Sequence, residues 1–259
     1  MSRKAASTKF VNNMAIIFTI LHEIVCYGGI VLIPYTYAKA GWTGIFIHTY
    51  TLGLLGIILD FILSPTAAKN VDRVAKEYGT KKSAVYILME ANRTSANVLI
   101  VSLLSFFDAI DAPRPTSLDI HTILHLFACL TIYCFISEVT FTAGHIWLHH
   151  TKVGNRIHKL HHLCRNPSWT TNLLFHPLDL VVEFGGPFIS MPCVHHYILQ
   201  DKFAFKVAVI GLYIWFAASH SENLGLSHTG HHASLGKGLF TILGKYDWFE
   251  KWMGTEKLL

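Results

Sequence analysis

Residues 119–150, DIHTILHLFACLTIYCFISEVTFTAGHIWLHH, run from an apolar segment directly into a histidine cluster. The part from 119 to 141 is long enough to cross a bilayer core of about 30 Å, which needs about 20 helical residues. His145 and His149 are four residues apart and share one face of a helix, whereas His150 is turned toward the flank. The sequence therefore predicts histidines at the point where a membrane helix leaves the lipid.

Two further clusters follow, and each contains three histidines at positions i, i+3 and i+4. They are HKLHH, with His158, His161 and His162, and HTGHH, with His228, His231 and His232. This spacing puts three imidazoles on one side of a helix, within reach of a single ion. Neutral imidazole is the commonest protein ligand for metals. Three such clusters offer more nitrogens than one four-coordinate zinc ion can use, so we expect two metal ions.

The composition indicates an integral membrane protein. Of the 259 residues, 52% are hydrophobic and only 14% are charged. The net charge of +5 comes from basic residues scattered in short loops, and no nucleic-acid-binding motif accompanies them. We therefore expect a membrane as partner and no nucleic acid.

Several other apolar segments are candidates for membrane helices. Two of them, at 14–37 and 42–63, are long enough to span, and shorter or interrupted ones lie at 84–107, 178–199 and 203–219. Gly185, Gly186 and Pro187 interrupt the 178–199 segment and predict a kinked or re-entrant helix there. His22, His48 and Asp60 are polar groups inside apolar segments, and we assign them to helix packing or to a substrate entrance.

Charge placement predicts the topology. Lysine and arginine are concentrated in the N-terminus, in the 64–84 loop and in the 145–176 segment, so these parts are expected on the cytosolic side. If residues 178–219 enter and leave the membrane as a hairpin, the C-terminal 40 residues are cytosolic too. All three histidine clusters then meet on one face of the membrane. We predict an all-α integral membrane bundle of about four transmembrane helices plus interfacial helices.

The combined motifs resemble the fatty acid hydroxylase and sterol desaturase superfamily of membrane di-iron oxygenases. The resemblance covers residues from about 138 to 255 and rests on the order HxxxHH, HxxHH, FHPLD, HS, HxxHH and WFEKWMGT. An acidic residue before the first cluster matches Glu138, and an AHP-type element followed by an acid matches His176, Pro177 and Asp179. A C-terminal tryptophan-acid motif matches Trp248, Glu250, Gly254 and Thr255. His220 is only eight residues before His228, a shorter interval than many relatives have.

The resemblance implies two regions. Residues 1–137 would form membrane-anchor helices with a cytosolic loop at about 64–84, and residues 138–259 would form a fatty acid hydroxylase-like catalytic region that includes the membrane or re-entrant segments 178–219. A cytosol-facing helical cap would hold the two metal ions. The membrane would be that of the endoplasmic reticulum, or the inner membrane in a bacterium.

Ten histidines are the predicted metal ligands: His145, His149, His150, His158, His161, His162, His220, His228, His231 and His232. Two further residues are catalytic candidates, and each has two possible roles. Glu138 either orients a ligand or balances local charge as a buried acid. His176 is either a metal ligand or a partner that supports one.

The function expected from the resemblance is a lipid monooxygenase. It would hydroxylate or desaturate an unactivated C–H bond of a lipid, sterol or fatty acyl chain, with two non-haem iron ions and O2 as co-substrate. Because the chain has no GxGxxG or CxxCH motif, electrons would come from an external NAD(P)H-linked donor such as a cytochrome b5 or a reductase. The alternatives are a membrane zinc or copper transport protein, whose ligands would lie near the bilayer midplane, and a zinc-dependent membrane hydrolase, which would need a catalytic carboxylate beside the histidines.

Overall fold

The protein is built from helices throughout the part of the chain that the computed structural model describes, residues 3–63, 65–220 and 231–232. This confirms the all-α prediction. The helices are α1 (Arg3–Leu63), α2 (Pro65–Glu77), α3 (Lys82–Phe106), α4 (Ile120–His150), α5 (Lys152–His162), α6 (Pro177–Leu180), α7 (Gly186–Val194) and α8 (Lys202–Ser219). A 3-10 turn at Thr171–Leu173 and π-helical turns at Val181–Gly185 and His195–Leu199 complete the elements.

Helix α1 is a hairpin of two arms that reverses at Gly41. Gly41 has φ 56° and ψ −151°, a conformation that L-residues with a side chain rarely adopt. The arms are in contact, because His48 Nε2 donates to the Gly29 carbonyl oxygen at 3.0 Å although 19 residues separate them. Gly29 allows this approach, since a Cβ there would lie 2.2 Å from Leu52 Cδ1. The two apolar segments predicted at 14–37 and 42–63 therefore form one hairpin.

Three helical stretches are long and apolar enough to cross a membrane: Ile20–Asp60, Ile120–His150 and Lys202–Ser219. The first contains the reversal at Gly41. Large apolar side chains on α4 face outward, and Phe127 is 69% exposed. An outward apolar face of this kind suits contact with lipid rather than water. The fold is that of a membrane protein.

The 178–199 segment is a helical stretch interrupted by π-helical turns. Its path runs from α6 through a π-helical turn into α7, and a second π-helical turn ends it. It returns the chain so that α8 lies parallel to α4. Near the helix starts His125 Nε2 is 2.9 Å from Asp201 Oδ2, and nearer their ends the rings of Phe141 and Phe216 are 6.3 Å apart. The C-terminal ends of α4 and α8 are consequently neighbours.

A one-residue corner joins α4 to α5. Thr151 caps α5, since its Oγ1 accepts from the Gly154 amide at 2.9 Å. Gly154 lies against the last turn of α4, where an added Cβ would be 2.6 Å from Trp147 O and 2.6 Å from Leu148 Cα. Both neighbours are backbone atoms and cannot rotate away. The absence of a side chain at 154 therefore sets how closely α5 follows α4.

Gly154→Ala is expected to displace α5 and to lower both thermal stability and metal content. Gly211→Ala is the matched control, because nothing lies within 4 Å of an added Cβ on that helical glycine. At a compatible site the same change stabilises a protein by about 0.4–1 kcal/mol. Thermal unfolding and metal analysis of the two purified variants compare the sites. Equal unfolding temperatures and equal metal contents in the two variants would contradict the close-packing role of Gly154.

Side chains of the membrane-anchor region hold the irregular segment 163–176. Arg73 Nη1 donates to the Leu163 carbonyl at 2.6 Å, and Asn92 Nδ2 donates to the Phe175 carbonyl at 3.0 Å. Between these points the buried Asp60 carboxylate accepts from Ser168 Oγ at 2.6 Å. These bonds satisfy backbone groups that lack helical partners. The segment that follows the second histidine cluster is thus fixed to α1, α2 and α3.

Candidate metal centre

Five histidines from three parts of the chain converge at the end of α4. Their ligand nitrogens all lie within 4.8 Å of one another; the residues are His145, His149, His158, His162 and His231. We call them the five-histidine group. Helix α4 supplies two of them, α5 supplies two, and the C-terminal cluster supplies one. The group therefore depends on the α4–α5 corner and on the return of the chain through α8.

The nitrogen spacing within this group fits a bound cation. His149 Nε2 lies 3.1 Å from His145 Nε2, 3.0 Å from His231 Nε2 and 3.2 Å from His162 Nε2. One ring nitrogen can donate or accept only one hydrogen bond in its plane, so hydrogen bonding does not account for three neighbours. Nitrogens about 2.1 Å from one ion and at right angles to each other are about 3.0 Å apart. The donors therefore suit one ion with more than four ligands.

A second group lies beside the first and, among the described residues, consists of His161, His220 and His232. His161 Nε2 and His220 Nε2 are 3.3 Å apart. His220 Nδ1 donates to the Phe216 carbonyl oxygen at 2.9 Å, so Nε2 is the unprotonated nitrogen, and it faces His161. We call these residues the three-histidine group. The described histidines thus form two neighbouring sets of imidazoles that could each hold a metal ion.

Each of two clusters divides between the groups. His158 and His162 belong to the five-histidine group, whereas His161 belongs to the three-histidine group. Likewise, His231 and His232 belong to different groups. Successive residues of a helix point about 100° apart, so adjacent histidines point into different groups. The three imidazoles of one cluster therefore do not all lie in one group.

Burial keeps the ligands neutral. His161 and His232 are fully buried, and the loss of hydration lowers the pKa of each imidazole well below its usual value, with neighbouring histidines adding to the effect. Desolvation likewise lowers the pKa of His220 to about 4. A metal ligand must carry a free lone pair, and these imidazoles do so at neutral pH.

Asp179 supports the five-histidine group from behind. Its two carboxylate oxygens each lie 3.0 Å from His158 Nδ1, which therefore donates and presents Nε2 to the group. Asp179 is itself fully buried. A carboxylate behind a ligand histidine fixes the ring orientation and raises the basicity of the ligand.

Asp179→Ala is expected to weaken metal binding by about 10- to 100-fold, because His158 loses its orienting acceptor. Asp179→Asn should weaken it less, since the amide oxygen still accepts from Nδ1. Titration of the metal-free variants with a divalent ion measures both affinities. Wild-type affinity in Asp179→Ala would show that Asp179 does not position His158.

Four buried phenylalanines lie around the histidines, and we call Phe141, Phe175, Phe184 and Phe216 the aromatic floor. Phe175 stacks on His161 with ring centroids 3.9 Å apart, and Phe216 contacts His220 at 4.9 Å. All four side chains are buried. On another side, a cavity of about 210 Å³ reaches the five-histidine group between the exposed residues Asn155 and Lys159. Apolar rings thus line one side of the site, and a cavity opens on another side.

A larger cavity of about 520 Å³ lies near the start of α8, lined by residues that include Tyr35, Arg114 and Lys206. The histidine groups form at the opposite end of that helix. We therefore base the functional argument on the donor geometry and not on cavity size.

The remaining predicted residues have different placements. His150 is exposed and belongs to neither group. His176 caps α6, where its Nδ1 accepts from the Leu178 amide at 3.2 Å, and it also lies outside both groups. Glu138 is buried on α4, about 10 Å before His145 along the helix axis. His228 and the C-terminal motif of Trp248, Glu250, Gly254 and Thr255 lie outside the described residues.

Sequence reasoning missed one acidic residue at the centre. Glu183 is fully buried, with Oε1 3.3 Å from His145 Nε2 and Oε2 3.6 Å from His161 Nε2. In the sequence it is one acidic residue within the apolar segment 178–199. Its distance of four residues from Asp179 was the available signal, because that spacing puts both carboxylates on one helical face.

Comparison of the chain with known protein families, with curated proteins and with solved structures found no match. The likeness to the fatty acid hydroxylase superfamily therefore depends on the quoted motifs. The geometry of the histidine groups is independent of that likeness.

Proposed function

We propose that this protein is a membrane-bound di-iron monooxygenase that hydroxylates or desaturates an unactivated C–H bond of a lipid, sterol or fatty acyl chain. The observation that carries the proposal is the pair of adjacent imidazole groups, five and three histidines, at the end of membrane-type helices. Five nitrogens exceed the four that a structural zinc ion takes. Imidazole-rich sites with higher coordination suit iron.

Bound ferrous iron would supply the activation of O2 that C–H oxidation requires. The chain supplies the surroundings. Asp179 orients His158, and the Phe216 carbonyl orients His220, so that the ligand nitrogens are held before an ion arrives. The aromatic floor excludes water from the side that faces the membrane, and this protects a reactive centre from unwanted proton and electron transfer.

The lipid nature of the substrate follows from the position of the site. Phe141 and Phe216 of the aromatic floor lie on α4 and α8, which are apolar enough to cross a membrane, so an acyl or sterol chain would approach from the membrane side. A polar substrate would gain little from four buried phenylalanines. Hydroxylation and desaturation require the same ligands and differ in where the C–H bonds lie, so the proposal includes both.

The electron donor would approach the opposite side. Lys152, Arg156 and Lys159 are exposed on α5, and Lys159 lines the cavity that reaches the five-histidine group. A basic surface steers an acidic partner. This favours an external NAD(P)H-linked donor protein, such as a cytochrome b5 or a reductase, docking on α5.

The proposal includes a four-span anchor with the histidines on the cytosolic face of the endoplasmic reticulum or of a bacterial inner membrane. The reversal at Gly41 supports it, because each arm of the α1 hairpin then has about the 20 residues that one crossing needs. The basic loops support the cytosolic orientation.

A zinc-dependent membrane hydrolase is the second candidate. Glu183 favours it, because a buried carboxylate beside metal-binding histidines can act as a general base. The excess of nitrogen donors in the five-histidine group argues against it.

Metal analysis and O2 consumption test the proposal together. Protein purified without oxygen in detergent should contain iron and should consume O2 when lipid extract and a reductant are added, with hydroxylated or unsaturated product. Zinc without O2 consumption would favour the hydrolase, and absence of both iron and O2 uptake would reject the oxygenase. Lipid profiling of a host before and after loss of the protein would then identify the substrate.

A further inference from the structure

We propose that Glu183 is a bridging ligand whose two carboxylate oxygens each bind one of the two metal ions. This inference deepens the proposed function, since it assumes a two-ion site, but it does not require that the ions be iron. Its basis is a carboxylate that lies between the two histidine groups. Histidines alone were predicted as ligands, so Glu183 adds an oxygen donor that the sequence did not suggest.

The two oxygens face different groups. Oε1 lies 3.3 Å from His145 Nε2 and 3.8 Å from His158 Nε2, and both of these residues are in the five-histidine group. Oε2 lies 3.6 Å from His161 Nε2, in the three-histidine group. A carboxylate that spans two sets of donors in this way can bind one ion with each oxygen.

The burial of Glu183 favours a cation beside it. The residue is fully buried, and neither oxygen has a hydrogen-bond donor among the described residues. An isolated buried carboxylate is expensive, and buried charges are normally paired or bound to a metal. In turn, two divalent ions held only by neutral imidazoles would leave a large buried positive charge. The negative charge of Glu183 and the positive charges of the ions would each lower the free-energy cost of burying the other.

The local backbone explains how Glu183 reaches this position. It lies in the π-helical turn Val181–Gly185, which directly follows α6. Such turns are rare in helices and occur often at functional sites. Asp179, four residues earlier, contacts Nδ1 of His158, while Glu183 is nearer to Nε2 of the same ring. One short helical stretch therefore provides both the outer support and the bridge.

Titration with Co²⁺ tests the bridge independently of the oxygenase activity. Metal-free wild-type protein should bind two Co²⁺ ions per chain, and the pair should be magnetically coupled. In Glu183→Gln the affinity for at least one ion should fall by about 10- to 100-fold or more, with loss of coupling, because an amide is a weak ligand and carries no charge. Glu90→Gln is the control, since Glu90 is a partly buried acid paired with Arg93 outside both groups.

Glu183→Asp provides a second variant in case the glutamine form does not fold. It keeps the charge but is one methylene shorter, so it should reach one ion only and should also lose the coupling. Two coupled Co²⁺ ions at wild-type affinity in either variant would overturn the inference. Absence of iron and of O2 uptake in wild-type protein that still binds two coupled Co²⁺ ions would reject the oxygenase while supporting the bridge.

Discussion

His161→Ala is expected to abolish lipid-dependent O2 consumption and to remove metal, with little change in membrane insertion. His161 is fully buried in the three-histidine group, so its loss leaves that group with His220 and His232 alone. Loss of a residue that only supports a ligand costs about 10- to 100-fold in metal affinity or activity, and loss of a ligand should exceed that range. Metal content per chain and O2 uptake measure the effect.

His121→Ala is the matched control for that experiment. His121 is an exposed histidine in the first turn of α4, and the predicted ligands of that helix are at its other end. The control should keep the metal content and turnover of the wild-type protein. Full activity in a correctly inserted His161→Ala protein would contradict the ligand assignment.

Asp60→Ala should destabilise the protein by about 3–5 kcal/mol, the usual result of removing one partner of a buried ion pair. Asp60 Oδ1 lies 3.1 Å from His22 Nε2, and Oδ2 accepts from Ser168 Oγ at 2.6 Å and from Thr170. Asp60 and His22 are each only 3% exposed. The change leaves several buried donors without an acceptor. It also releases the 163–176 segment, whose Phe175 stacks on His161.

Unfolding in detergent measures the effect, and two variants calibrate it. Asp60→Asn keeps an oxygen acceptor and should cost less than Asp60→Ala. Asp72→Ala removes an exposed carboxylate that pairs with Lys82, and exposed pairs contribute only about 0–1 kcal/mol. If Asp60→Ala unfolded at the same temperature as Asp72→Ala, the buried network would not be what holds the 163–176 segment.

The helical class and the membrane character could be predicted because both depend on local properties. The length of an apolar run limits what the segment from 119 to 141 can be, and the same holds for the two arms of α1. The irregular helix in 178–199 was also predictable, since Pro187 restricts the backbone and lacks an amide donor, whereas Gly185 and Gly186 permit departures from a regular helix. These conclusions need no knowledge of which helices are neighbours.

The division of the histidines could not be predicted in the same way. The i, i+3, i+4 spacing shows that three imidazoles share a side of a helix, but the ion that each one faces depends on the helices packed around it. His161 and His162 are adjacent and belong to different groups. His150 was predicted as a ligand and His176 as a ligand or its supporting partner, yet one is exposed and the other caps α6.

The amino-acid sequence by itself determined an all-helical membrane protein with closely spaced imidazoles, because hydrophobic length and helical periodicity act over a few residues. Only the tertiary structure decided that these imidazoles form a group of five and a group of three with Glu183 between them. The parallel packing of α4 and α8 and the sharp corner at Thr151 produce that arrangement. Such contacts join residues far apart in the chain, and local sequence does not encode their distances.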